Sequence, residues 1–504
     1  MRTLREPPSV ESSLREVEGR RNSGNVRSKH GQRDLTTGHI GATLIMFALP
    51  TLGSNILQAL NGSINAIWVG RYLGEGALAA TSNANIILFL TFGAVFGFGM
   101  AATILIGQRL GQNDIEGARQ AFGAAVGLVV SCATIVAAFG WVFAPEILDL
   151  LATPRGAMPL ALAYLRVIFL GLPASMMMLL VMMGLRGTGD SMTPLWFMIL
   201  SAILDGGLNP LLIAGIGPFP QMGIAGSAAA TLVASHVSLL GLIAYTYRQD
   251  LPLRLRGHEL RYLIPKRAMT RAIVRKGFPI GAQMLAMSTA GLAMIGLVNR
   301  LGVDTAAAFA VSQQLWTYIQ MPGLAIGAAV SSMAAQNIGA GRWDRVGDIT
   351  KYGLILNMTL TSVIVGALIL FDRPVLTLFV SGASPALPIA QHILLITNWN
   401  FIVFAATMVL FSTVRANGAV IAPLIILIVA LYPVRIGFAL LGELWLGADA
   451  LWWSFPLGSF ATVVMAVWYY RHGHWRTGAP VVPDDSEGQA HGVSEPGGRL
   501  QPTG

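Results

Sequence analysis

The chain is short of charge. Only 11% of its 504 residues are Asp, Glu, Lys or Arg, against about 25% in an ordinary soluble domain. Over this length such a shortfall excludes one very large soluble core and points to lipid. Cysteine is nearly absent: Cys132 stands alone inside an apolar run, which excludes a disulfide framework and argues against redox chemistry. His236 and His392 have no second ligand at metal spacing, so no zinc site is expected. The Gly-Thr-Gly at 187–189 lacks the Lys-Ser/Thr of a phosphate-binding loop, so no ATP is implied. No paired acids, His pair or nucleophile constellation suggests an enzyme. The N-terminus does not read as a signal peptide: residues 1–38 are polar and basic, with no apolar core before Ile40. Residues 473–504 are rich in Pro, Gly and acidic or polar residues. Both read as disordered cytosolic tails, bounded at 1–40 and 472–504.

What the chain has is apolar runs of membrane-crossing length, roughly 20 residues or more. They predict twelve helices near 42–69, 76–106, 118–143, 160–185, 193–216, 223–247, 272–298, 304–334, 346–371, 389–414, 420–442 and 448–470. With the N-terminus placed in the cytosol, 27 of the 33 Lys and Arg fall in cytosolic tails and loops. The positive-inside rule then puts both ends in the cytosol of a cell inner membrane. The basic stretch 248–276 is the midpoint. It reads as a topology anchor and linker (248–271 proper), with contact to anionic lipid as the other reading.

The two halves repeat. Pro50 and Pro279, Arg71 and Arg300, Arg186 and Arg415, and Pro194 and Pro423 are each 229 residues apart. Gln108 and Gln336 pair at 228, as do Gly111 and Gly339. This is an internal duplication of six spans. An even number of spans makes the repeats parallel, so 41–247 and 272–471 form two six-helix bundles about an axis along the membrane normal. The fold class expected is an all-α membrane protein of twelve helices.

Asp205, in SAILDGGLNPLLI (201–213), is the residue out of place. A charge near a helix centre costs about 2.5–3.5 kcal/mol on insertion scales, and desolvation favours the protonated form, so the side chain suits proton carriage. Asn209 lies one turn on, on the same face. Asn61 and Asn65 are spaced likewise on the first helix. At an offset of 229, Asp205, Asn209, Asn61 and Asn65 face Val434, Phe438, Ala290 and Met294. A scaffold role would tolerate similar side chains in both halves. The polar set therefore marks a cation site confined to the N-terminal half, with Thr231 as a further ligand. The competing readings are structural: asparagines bonding neighbouring helices, and Asp205 capping a break at Gly206-Gly207.

ALPTLGSNILQALNGSINAIWVGRYLG, GQRLGQNDIEGAR, LRGTGDSMTP and LDGGLNPLLIAGIG in the first half resemble the multidrug and toxic compound extrusion (MATE) family. So do GFPIGAQ, VNRLG, AQNIGAGRWDR and VRANGAVIAP in the second. The likeness covers about residues 40–470. It implies two bundles around a V-shaped cavity and export of organic, cationic or amphipathic compounds in exchange for H⁺ or Na⁺, with no other cofactor. Relatives usually carry an acid on helix 1 where Asn65 stands here. One branch has Asn then Asp on helix 5, the reverse of Asp205 and Asn209. Another has acids near Met287 and on helix 10, which this chain lacks, so no cation site is expected in the C-terminal half. Expected partners are a drug-like small molecule and lipid, without nucleic acid, for a monomer. The alternative within the superfamily is a flippase of lipid-linked or polyisoprenoid cargo.

Candidates for the substrate cavity are Met178 and Met182 in the Met-rich run 176–187, since thioethers suit adaptable pockets, and Gln313, Trp316 and Tyr318, whose rings could stack on a flat cation. Packing or an interfacial belt is the plain alternative for both groups. Arg435, inside the eleventh span, must find a partner or snorkel.

Overall fold

The computed structural model describes residues 34–150, 153 and 155–477; the tails proper lie outside them. Twelve long helices account for it: α1 Ile40–Leu73, α2 Glu75–Gly111, α3 Ile115–Val142, α4 Met158–Gly187, α5 Met192–Ala214 and α6 Ile224–Arg248. Then come α7 Arg267–Asn299, α8 Val303–Gly339, α9 Trp343–Leu370, α10, α11 Ile421–Leu446 and α12 Asp449–His472. α10 is a pair, Ala386–Thr397 and Asn400–Ala416, bent by 45°. Among the described residues ten helices are long and apolar enough to cross a membrane, eleven with the bent pair counted as one span. α8 has the length but carries Asp304, Gln313, Gln314 and Gln320. Each sequence-derived span lies on one of the twelve.

Turn geometry repeats with the sequence. Gly74 and Gly302, 228 residues apart, are the N-caps of α2 and α8, at φ 80° and 103°. Asn113 and Gly341 hold φ 61° and 72°, and Gly189 and Gly418 hold 93° and 85°. Side chains avoid this region, so the duplication preserved backbone shape as well as letters.

Each half has its own core. The first gathers around Leu165, Phe169 and Leu172, the second around Phe309, Trp316 and Phe455. Lipid tails are as apolar as Leu, so close fit between helices has to hold them together. The halves meet where α2 packs on α7 and α8, and α1 on α8. At the end of the molecule where the described stretch of chain begins and ends, the contact is reciprocal. Gln108 Nε2 donates to the Ala416 carbonyl at 2.7 Å, and Gln336 Nε2 donates to the Gly187 carbonyl at 2.9 Å. Gly111 and Gly339 let the backbones touch: a Cβ on either would stand 2.0 Å from the carbonyl oxygen of Gln336 or Gln108 respectively.

The described ends of the chain pack at the same end of the molecule. Leu35 is buried and its carbonyl accepts from Asn337 Nδ2 at 2.9 Å, while buried Trp475 receives a bond from Asn417 on its carbonyl.

The linker is docked. Leu251, Leu253 and Leu255 are buried, and a one-turn-and-more 3₁₀ helix, Gly257–Leu263, lies along α3. Arg119 on α3 donates to Glu259 at 2.6 Å and to the Pro252 carbonyl at 2.8 Å, and Tyr262 donates to Glu116 at 2.7 Å. Burial alone would raise the Glu259 carboxyl, but the Arg256 backbone N–H and the Arg119 guanidinium hold it below its usual range. The contribution of Glu259 to docking is therefore complete above the ordinary carboxylate range and is lost only as pH falls through the lowered value. Glu259→Gln should expose the arginines of 248–267 to trypsin at neutral pH, cutting several-fold faster than wild type. Wild-type protein should resist from neutral pH down through the usual carboxylate range; equal cutting of the two proteins at neutral pH would disprove the clamp.

Candidate functional site

Three helices of the N-terminal bundle bring the five nominated residues together. α5 is continuous from Met192 to Ala214, so there is no break at Gly206-Gly207 for Asp205 to cap. One turn of α5 separates Asp205 from Asn209, and one turn of α1 separates Asn61 from Asn65, so each pair projects from one face. Asp205 is 1% exposed. Its Oδ2 accepts from Asn61 Nδ2 at 2.7 Å and Asn65 Nδ2 at 2.9 Å. Its Oδ1 accepts from Asn209 Nδ2 and from Thr231 Oγ1 on α6, both at 3.1 Å. Asn209 Nδ2 also donates to Asn65 Oδ1 at 2.9 Å, closing the ring of bonds.

Four donors suit an ionised carboxylate, and among the described residues no cation pairs with it. Among the described residues two acceptors remain unused: Asn61 Oδ1 and Asn209 Oδ1 are buried without a hydrogen-bond partner. A carboxylate with two free amide oxygens beside it is a donor set for a small hard cation or a proton. Among the described residues no cluster of three or more His, Cys, Asp or Glu could hold a metal.

A cavity of about 170 Å³ adjoins this cluster, lined by Gln58, Asn61, Ser175, Met178, Met182 and Thr231 among others. Met178 and Met182 thus line a pocket, and the Met-rich run is buried in the bundle and does not face lipid. Ser175 and Ser235 add a hydroxyl pair at 3.2 Å, which the sequence reading missed. The other nominated residues part company. Gln313 and Trp316 line a second cavity, of about 180 Å³, in the C-terminal bundle. Tyr318 does not: it is 42% exposed and its hydroxyl accepts from Gln314. At about 100° per residue, 313, 316 and 320 share a face of α8 and 318 points the other way. Tyr318 is therefore removed from the cavity, and Gln320 takes its place. His236 Nδ1 meets the Leu232 carbonyl at 2.8 Å and His392 pairs with Asp449 at 2.9 Å, so neither is part of the site.

The MatE family model matches the chain twice, over residues 50–211 and 279–441, the second stretch one residue longer than the first. "Probable multidrug resistance protein YoeA" of Bacillus subtilis strain 168 is 31% identical over 436 residues, which is 86% of this chain and 94% of that one. "Probable multidrug resistance protein YpnP" of the same organism is 29% identical over 88% and 97% of the two chains. A crystal structure of MATE in complex with MaD3S superposes with a TM-score of 0.80 at 21% identity, covering 88% of this chain and 98% of that one. The architecture, the doubled match and the near full-length relatives agree: this chain belongs to the MatE family of multi-pass membrane transporters and is a transporter, not an enzyme.

Proposed function

We propose that the chain exports organic compounds, cationic or amphipathic, across a cell's inner membrane in exchange for H⁺ or Na⁺. Both termini lie in the cytosol, the protein works as a monomer surrounded by lipid, and Asp205 is the coupling site. One observation carries the reading: a buried, uncompensated carboxylate with two idle amide oxygens beside it, next to a cavity of its own. An intramembrane acid in such a position is a functional residue by default.

Entry of a cation neutralises Asp205. The carboxylate then no longer needs four donors, and Asn61 and Asn65 are free to turn away. α1 is also the helix that packs across on α8 of the other half. A change in how α1 is held against α5 therefore reaches the interface between the halves. With the termini cytosolic, the end sealed by Gln108 and Gln336 is the cytosolic one, and ion entry biases the protein toward opening it. Cargo binding and ion release reverse the bias.

The test is transport of a fluorescent organic cation in proteoliposomes, with pH and sodium gradients imposed separately. One of the two gradients should drive uphill movement. Transport that ignores both gradients, or that shows no exchange stimulated by cargo on the far side, would defeat the antiport reading.

A further inference from the structure

The cavity of the C-terminal bundle is the repeat's copy of the N-terminal one. Gln58 and Met287, Gly171 and Asn400, Ser175 and Phe404, and Met198 and Leu427 line the two cavities, and each pair is 229 residues apart. Charge is where the copies differ. At that offset Asp205 falls on Val434, yet α11 is π-helical from Ala430 to Ile436. A π turn accommodates one added residue and shifts the register beyond it. Such a shift, with which the one-residue-longer second stretch of the family match agrees, brings Arg435 to the place that Asp205 holds in the first half.

Arg435 is fitted into the cavity wall. Its guanidinium lies 3.5 Å above the centroid of the Phe455 ring. Gly458 on α12 clears its path, since a Cβ there would stand 3.1 Å from the arginine's own Cβ. Stacking on a ring offsets about 2 kcal/mol of a desolvated cation's cost, short of the cost of placing it in a membrane. Among the described residues no acidic side chain lines the cavity. Among the described residues Arg435 Nε is buried with no hydrogen-bond partner, and so is the indole Nε1 of Trp316 on the same cavity. Two buried N–H donors without acceptors, one of them on a cation, stand among Trp316, Phe401, Phe404 and Phe455. Space of about 180 Å³ exceeds the ~150 Å³ that takes up benzene in a dry cavity.

We propose that the C-terminal cavity binds an organic anion: an aromatic ring carrying a carboxylate, the ring against the aromatic wall and the anionic oxygens on Arg435 and Trp316 Nε1. The protein then presents a cation site in one bundle and an anion site at the pseudo-equivalent place in the other. Cargo with an anionic head group is admitted to the second cavity. This goes beyond the antiport reading, because it concerns the other bundle and is read at equilibrium without a gradient.

The probe is radiolabelled 1-naphthoate, bound to the purified full-length chain in nanodiscs and measured by scintillation proximity. Its competitors are 1-naphthylmethylamine and 1-naphthylmethanol, which have the same ring with a cation or a neutral group. Wild type should bind naphthoate, and neither competitor should displace it at matched concentration. Arg435→Gln should weaken binding about tenfold or more, Arg435→Lys by less, and Trp316→Phe, which keeps a ring and removes the N–H, a few-fold. Tyr318→Phe, on the opposite face of α8 and outside the cavity, should leave naphthoate binding unchanged. Absent binding to wild type, equal binding by Arg435→Gln, or displacement by the amine as readily as by naphthoate would each overturn the proposal. Loss of coupling with naphthoate binding intact, or the reverse, separates failure of one reading from failure of the other.

Discussion

Asp205→Asn is expected to stop gradient-driven efflux, lowering it by about tenfold or more toward the level of protein-free vesicles, a factor that corresponds to ~1.4 kcal/mol per decade. A ligand shifts a two-state equilibrium only through its differential affinity for the two states. An amide at 205 keeps the size of the side chain but does not change charge when an ion arrives. The lever between ion and conformation is lost, while the cavity at Met178 and Met182 keeps its walls. Cargo binding should therefore persist within a few-fold in the same variant. The fold should also persist. One amide among Asn61, Asn65 and Asn209 must turn to face the new Asn donor, and an imperfectly paired buried group costs about 1–3 kcal/mol. Asp205→Glu, with a charge but a longer stem, should recover part of the efflux. If Asp205→Asn pumps as wild type does, with both gradients tested, the acid is structural and the coupling site lies elsewhere.

A methyl group at Gly339 is expected to pry the halves apart. Its Cβ would sit 2.0 Å from the Gln108 carbonyl oxygen, a backbone atom that cannot swing aside. Overpacking of this kind costs about 1–3 kcal/mol, and only the closed arrangement incurs it. In a Cys132→Ala background with a cysteine placed at Ala335, Gly339→Ala should raise the rate of maleimide labelling in nanodiscs about tenfold. Gly111→Ala, the mirror change against the Gln336 carbonyl, should do the same. Melting temperature should fall little, since the bundles keep their separate cores. Unchanged labelling in both variants would mean that the glycines do not hold the seal.

How far the sequence revealed this varies by element. The twelve helices were legible because lipid demands long apolar runs, and composition records that demand directly. The Asp205 cluster was legible because a carboxylate in such a run is conspicuous, and because the second half served as an unpolar control for Asn61, Asn65 and Asn209. Tyr318 was misplaced because membership in a span was taken for membership in a face; helical spacing from Trp316 separates them. Arg435 was visible as a charge, but its correspondence to Asp205 hinges on a π turn that leaves no letter pattern. The docked linker had a signal that went unused, the alternating leucines of LPLRL at 251–255, overshadowed by its arginines.

The four residues that exchange bonds across the seal, Gln108 with Ala416 and Gln336 with Gly187, include no ionisable side chain. Neither acidity nor salt can pick such a lock by acting on it. In the exchange proposed above, release would reach it as strain carried through the helices, with the driving ion and the door kept apart.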